Sequence, residues 1–372
     1  MRVMMIAGEA SGDLHGSGVI RALKRCMPAV EVYGIGGDKM RAEGMELVFH
    51  VREVSVMGFV EVVRHLPVIR SVERTLEALL TARRPDVVLL IDYPGFNLRF
   101  ARKAHRLGVR VLYYISPQVW AWRPGRLRKM KGVVDKMFVV FPFEEELYKR
   151  AGIDVDFVGH PLLEVLGSPQ AKTEFCRRHA LDSARPVVGL FPGSREQELK
   201  RLFPPMLEAG KMLAEKHGAQ IAVGAASILA FDFVKSFMDD GSSVKLLQNA
   251  TYDLMANSDV ALVTSGTATL ETAYFGTPMV VAYRTSWLTY LLGRMLVRIR
   301  NIGLVNIVAG KTVVPELLQA SVTPRRLASA ASRFLTDKAL ALETREMLSV
   351  IRTRLGTPGA SDRVAAALVG TS

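Results

Sequence analysis

Residues 260–278 read VALVTSGTATLETAYFGTP. Val260 to Val263 form a short, continuous apolar run of the kind that fills a strand covered on both faces. Thr264, Ser265, Gly266 and Thr267 are small and polar, and the helix that follows ends before Gly276, Thr277 and Pro278. A strand running through a glycine turn into a helix is the repeating unit of a parallel sheet, since parallel neighbours need a crossover between them. The same alternation extends outward. Val187 to Phe191, Gln220 to Val223 and Val244 to Leu247 precede it, and Met279 to Ala282 follows. Upstream of a polar, proline-containing stretch at Gly167 to Lys172 lies an equivalent set: Val3 to Ala7, Val32 to Ile35, Val87 to Ile91, Val109 to Ile115 and Met137 to Phe141. The expected fold is α/β: two Rossmann-like doubly wound parallel-sheet domains with a cleft between them, over residues 1–166 and 167–345. Thr323 to Leu368 reads as two or three amphipathic helices, and 346–372 is expected to be helical and to cross back over the first domain.

The composition fits that reading. A chain of 372 residues exceeds what one hydrophobic core organises. Although 49% of it is hydrophobic, no stretch reaches the roughly 18 uninterrupted apolar residues of a membrane-spanning helix. The first apolar run, Val3 to Ala7, is too short for a secretory leader, so the protein is expected in the cytoplasm. Cys26 and Cys176 are the only cysteines and read as inert packing residues, with no disulfide framework. A formal charge of +13 implies attraction to polyanions: nucleic acid, anionic lipid or phosphorylated substrates.

In doubly wound sheets, ligands bind outside the carboxyl ends of the strands, which directs attention to five loops. After the first strand come Gly8, Glu9, Ala10, Ser11, Gly12, Asp13, Leu14, His15 and Gly16, where Ser11 or Asp13 serves either a ligand or as an N-cap. Asp92, Tyr93, Pro94, Gly95, Phe96 and Asn97 place a carboxylate at a strand end. Asp92 is a candidate general base or a carboxylate satisfied by neighbouring amides, and Asn97 can cap the next helix. Trp120, Trp122 and Arg123, followed by Arg126, Arg128, Lys129 and Lys131, suit an acceptor site or a membrane edge, or a core flanked by solvated charge. Gly193, Ser194 and Arg195 offer a phosphate fork, unless Arg195 pairs with a local glutamate. In the fifth loop the amides of Gly266, Thr267 and Ala268 can face a diphosphate beside Ser265. Glu271, one turn into the helix, accepts ribose hydroxyls or simply complements the helix dipole. His160, in VGHP, ends another candidate strand. A basic amphipathic stretch from Ser286 to Arg300 carries Trp287, Arg294 and Arg298, as an interfacial helix or as a core helix with a basic rim. No metal site and no cofactor are expected, for the sequence holds no clustered cysteines, no H-E-x-x-H and no Walker loop.

Taken together, these segments resemble the lipid-A-disaccharide synthases. The resemblance is carried by GEASGDLHG from Gly8, IDYPGFN from Ile91, SPQVWAWR from Ser116, FPFEEELY from Phe141, VGHPL from Val158, FPGSR from Phe191, SGTATLE from Ser265 and LVNIVAGKTVVPELLQ from Leu304 to Gln319. It implies a GT-B glycosyltransferase that joins UDP-2,3-diacylglucosamine to 2,3-diacylglucosamine 1-phosphate without a metal. It further implies Asp92 as the base, with Glu9, Ser11 and His15 in the first loop and Arg195 on phosphate. Ser265 to Glu271 would bind the nucleotide, and Asn306 and Glu316 are polar positions of the last motif. Many members carry a second acid where this chain has Gly95, so Asp92 would act alone. The acylated substrates imply a peripheral enzyme on the anionic inner face of the inner membrane, and a homodimer is compatible with this. The muramyl-lipid glucosaminyltransferases and UDP-N-acetylglucosamine 2-epimerases share the architecture. A nucleic-acid binder would need a recognisable module, and none is present.

Overall fold

The computed structural model describes residues 1–54, 59–117, 127–225, 231–239, 243–286 and 301–370, with side chains of 59–66 left aside. Among these, the chain forms two compact units, one from 1–165 and 355–370, the other from 166–286 and 301–354.

The sheet of the first unit has seven strands, ordered β3-β2-β1-β4-β5-β6-β7. They are β1 (Arg2–Ala7), β2 (Glu31–Gly36), β3 (Glu46–His50), β4 (Val87–Ile91), β5 (Arg110–Tyr114), β6 (Lys136–Val139) and β7 (Val155–Phe157). All neighbours are parallel, with Met5 opposite Leu89 and Ala7 opposite Ile91. The second unit holds six strands, ordered β10-β9-β8-β11-β12-β13. These are β8 (Val187–Phe191), β9 (Gln220–Gly224), β10 (Lys245–Leu247), β11 (Val260–Thr264), β12 (Met279–Tyr283) and β13 (Glu316–Leu318), again all parallel.

β7 is the strand expected before VGHP, and two strands escape the sequence reading: β3 and β13. Each lies at a sheet edge and is partly exposed along most of its length, so neither shows the continuous apolar run of a central strand. The central strands are wholly buried. Val87 to Ile91 and Val260 to Thr264 have every residue inside, packed against helices on both faces. Burying such side chains contributes roughly 1.5–3 kcal/mol each.

The C-terminal region forms three helices, Pro324–Thr336, Lys338–Arg354 and Ala360–Val369. The last joins the first unit. Glu164 accepts from the Ser361 amide (2.7 Å) and hydroxyl (2.5 Å), while Arg363 Nε donates to the Val158 carbonyl (2.9 Å). No described helix is long and apolar enough to cross a membrane. Of the cysteines, Cys176 is buried as expected, but Cys26 ends the helix Ala10–Cys26 exposed to solvent and does not pack.

Asp13 also departs from expectation. It does not cap its own helix, whose N-cap position is Glu9. Its buried carboxylate instead accepts the amides of Gly37 (2.7 Å), Lys39 (3.2 Å) and Met40 (2.9 Å), capping the helix Asp38–Ala42 from a distance. Asp13→Ala leaves these buried donors unmet and should lower unfolding stability by about 2 kcal/mol in urea titration. An unchanged midpoint would show that the cap contributes nothing.

Candidate active site

Because the strands of each sheet are parallel, the loops after β1, β4 and β5 leave from one edge of the first sheet. Pairing of Ala7 with Ile91 sets the Gly8–Glu9 turn beside Asp92 and Tyr93. Both Asp92 and Tyr93 adopt the left-handed conformation, with φ of +47° and +48°. Non-glycine residues pay for that conformation in steric strain, and it persists only where the surroundings impose it. Here they do. The Asp92 amide donates to the Tyr114 carbonyl (3.0 Å). The Asp92 carbonyl accepts from Asn97 Nδ2 (2.7 Å) and the Tyr113 hydroxyl (2.6 Å). Tyr93 donates its hydroxyl to the Val54 carbonyl (2.8 Å), and its ring lies against Gly8, where a Cβ would meet ring carbons at 2.2 Å. Asn97 therefore does not cap the helix Pro94–Arg106, which starts from Tyr93. Its amide also reaches the Ile91 carbonyl (3.2 Å), tying the helix back to the strand.

The Asp92 carboxylate is recessed but not closed off. Burial, followed by the nearby Glu9 carboxylate, raises its pKa from the ordinary 3.8 to about 7, against an opposing hydrogen bond from the Tyr93 amide. Glu9 is partly exposed and Ser11 exposed. His15 is buried, and burial with the Lys39 charge lowers its pKa to about 4, so it is neutral at pH 7. His160 falls to about 3 through burial and the proximity of His15, and its Nδ1 accepts from the Leu162 amide (3.1 Å). That fixes the Nε2-protonated tautomer.

In the second unit, the loops after β8, β11, β12 and β13 share one sheet edge in the same way. Ser194 and Arg195 are exposed at the start of the helix Glu196–His217. Arg195 Nη1 donates to Glu198 (3.0 Å), and the Ser194 amide reaches the other oxygen of the same carboxylate (3.3 Å). The glutamate pairing is thus present, and it engages two donors of the kind that would hold a phosphate. Gly266 has φ +152°, which opens the N-terminus of the helix Thr267–Tyr274, and nothing lies within 4 Å of where its Cβ would project. Thr267 is exposed and Ala268 partly so. Ser265 donates its hydroxyl to the Ile302 carbonyl (3.2 Å). Burial raises Glu271 from 4.5 to about 7 and, with that carboxylate, pushes the Tyr252 phenol up. Asn306 is fully buried, and its amide makes four bonds: to the Val314 carbonyl, Glu316 Oε1, and the Val313 and Val314 amides. Glu316 takes in addition the amides of Ile302 (2.8 Å) and Gly303 (3.0 Å). These two residues brace the 302–316 segment, which includes the helix Leu304–Ala309.

Comparison with known proteins shows the family and the fold. The family described as lipid-A-disaccharide synthetase matches residues 3–363. The chain belongs to that family. It is 47% identical to the lipid-A-disaccharide synthase of Geobacter metallireducens over 366 residues, 98% of this chain and 95% of the relative. It is a glycosyltransferase of lipid A biosynthesis. Among solved structures it resembles the UDP-GlcNAc 2-epimerase of Neisseria meningitidis bound to UDP-GlcNAc, with TM-score 0.66, 13% identity and full coverage of both chains (100% and 100%). MurG of Acinetobacter baumannii gives TM-score 0.59 at 13% identity, covering 99% of each chain. At such identities these likenesses show the fold, two Rossmann-like sheets in one chain of the GT-B type.

Of the other candidate residues, Trp120, Trp122 and Arg123 of the SPQVWAWR motif and Trp287, Arg294 and Arg298 of the basic amphipathic stretch lie outside the described residues. Sequence reasoning did not single out Tyr113, whose hydroxyl completes the Asp92 clamp. Nor did it single out Glu144, buried at 1% exposure, which accepts from the Ser116 hydroxyl (2.8 Å).

A carboxyl with a raised folded pKa holds its proton more tightly in the folded chain than in the unfolded one. Between about pH 4 and about pH 7 the folded state therefore binds more protons, and stability falls as pH rises through this window. Asp92→Asn carries no such penalty. Its melting temperature should match wild type near pH 4 and exceed it by several degrees above pH 7. A difference independent of pH would refute the raised pKa.

Proposed function

We propose that the enzyme transfers the 2,3-diacylglucosaminyl group of UDP-2,3-diacylglucosamine to 2,3-diacylglucosamine 1-phosphate, giving the β-1,6-linked disaccharide 1-phosphate and UDP. The acceptor 6-hydroxyl oxygen forms the new bond to the anomeric carbon. The bond from that carbon to the diphosphate oxygen breaks, its electron pair leaves with UDP, and the hydroxyl proton passes to Asp92. A single displacement inverts the anomeric centre. The observation that carries the reading is the Asp92 carboxylate, held on a clamped left-handed turn at a strand end with a pKa of about 7. A base is most effective when its pKa lies near the working pH.

Glu9 raises that basicity by its charge, and neutral His15 acts in the first loop as a hydrogen-bonding group, not a cation. Ser11 is exposed where it can reach the acceptor's polar groups. On the donor side, the UDP diphosphate displaces Glu198 from Arg195 and the Ser194 amide, and the Gly266, Thr267 and Ala268 backbone receives the remaining oxygens. Glu271 accepts the ribose hydroxyls. Ser265, Asn306 and Glu316 act by holding the nucleotide loop and its neighbour in place. As charge grows on the leaving diphosphate, Arg195 stabilises the transition state more than the ground state.

Both substrates carry acyl chains. The charge of +13, with Trp120, Trp122, Arg123, Trp287, Arg294 and Arg298, supports peripheral binding to the anionic inner face of the inner membrane.

The decisive assay follows UDP release and disaccharide formation from the acylated donor in mixed micelles, with and without the acylated 1-phosphate acceptor. Acceptor-dependent disaccharide is expected. Turnover of UDP-N-acetylglucosamine alone would favour epimerase chemistry instead. Within this assay, Glu9→Gln should move the acidic limb of the kcat/KM profile to lower pH, since it removes a charge that raises Asp92. An unmoved limb would dissociate Glu9 from the base. Arg195→Ala should lower both kcat and UDP affinity, and retention of both would exclude the phosphate role.

A further inference from the structure

Gln319 closes the LVNIVAGKTVVPELLQ segment and has been given no role above. It follows β13 directly, and Leu318 before it pairs with Tyr283 at the end of β12. Its position is therefore the carboxyl edge of the second sheet, the same edge that carries Gly193 to Arg195 and Ser265 to Ala268. The Tyr283 phenol at this edge lies within the field of Glu198 and Arg195. Gln319 itself is only 8% exposed and holds a left-handed φ of +50°, a strained state for a residue with a long side chain.

The orientation of its amide is unambiguous. The Thr285 amide donates to Oε1 at 3.0 Å, so the oxygen end is fixed and the amide cannot flip. The other end, Nε2, is buried and has no hydrogen-bond partner. Among the described residues of the second unit it is the one buried side-chain donor left unmet. Such a donor is costly unless some process supplies an acceptor.

We propose that Gln319 is a binding residue for the nucleotide sugar, donating from Nε2 to an oxygen of the sugar diphosphate. This rests on the reading of the Gly266 edge as the UDP-sugar site. The oxygen acceptor belongs either to the diphosphate or to the sugar, and the contact forms as neighbours shift on ligand entry.

Gln319→Glu removes the donor and adds a negative charge in its place. It keeps an oxygen for the Thr285 amide and replaces the N–H donor by an anionic oxygen that repels a diphosphate. Gln319→Met, of similar length, removes both ends and serves if the glutamate variant does not fold. Calorimetric titration of the full chain with UDP and with UDP-2,3-diacylglucosamine is the readout, beside melting temperatures. A Kd raised about tenfold or more for both ligands supports a diphosphate contact. The same rise for the acylated donor alone supports a sugar contact. If either folded variant binds both ligands within about twofold of wild type, whatever its melting temperature, the inference is overturned. Wild-type protein that binds neither ligand would overturn the reading of the edge itself, and this inference with it.

Discussion

Three hydrogen bonds on the backbone of one residue hold the Asp92 turn at the edge of the first sheet in shape. The amide and carbonyl of Asp92 are engaged by Tyr114, Asn97 and Tyr113, from the neighbouring strand β5 and the following helix. Without them, two consecutive left-handed residues at a strand end would relax to ordinary geometry. With them, the carboxylate is turned out of the sheet into a recessed setting that disfavours its charge, close to a second carboxylate on Glu9. Gly8 completes the constraint, because only a residue without a Cβ leaves room for the Tyr93 ring. The chemistry proposed for Asp92 is thus a consequence of backbone accounting around it.

The second unit uses polar residues differently. Asn306 and Glu316 close their hydrogen bonds on one another and on backbone groups of residues 302–314, so their polarity braces this segment. Arg195 and the Ser194 amide meet an internal carboxylate, Glu198, in a geometry that an incoming phosphate can take over. Burial raises Glu271 towards neutrality, which makes its ionisation responsive to whatever hydroxyls approach it. Among the described residues, each unit therefore presents one acid whose pKa is raised to about 7, one at the first sheet's edge and one behind the glycine turn of the second.

The fold was largely legible because central parallel strands must be apolar on both faces. Val87 to Ile91 and Val260 to Val263 announce themselves, and the glycine turns after them follow. Edge strands such as Glu46–His50 and Glu316–Leu318 are half solvated and lose that signal. At the site, the sequence pointed to Asp92 and Gly266 by their places at strand ends. It could not separate polar residues that face a ligand from those that brace a loop. Asp13 and Asn97 looked like caps of their own helices, yet one caps a distant helix and the other binds the strand behind it. Those partners lie far along the chain or depend on a backbone twist, and neither is written in local spacing. Tyr113 reads as one more core aromatic until its hydroxyl is seen on the Asp92 carbonyl.

The most direct test is a carbon-13 NMR titration of the aspartate side-chain carboxyls in the full chain, with the Asp92 resonance assigned by its loss in Asp92→Asn. The account predicts a midpoint near pH 7, as the recessed setting beside Glu9 requires. A midpoint near pH 4, the range of an exposed aspartate, would show that the clamped turn does not make Asp92 a base for neutral pH.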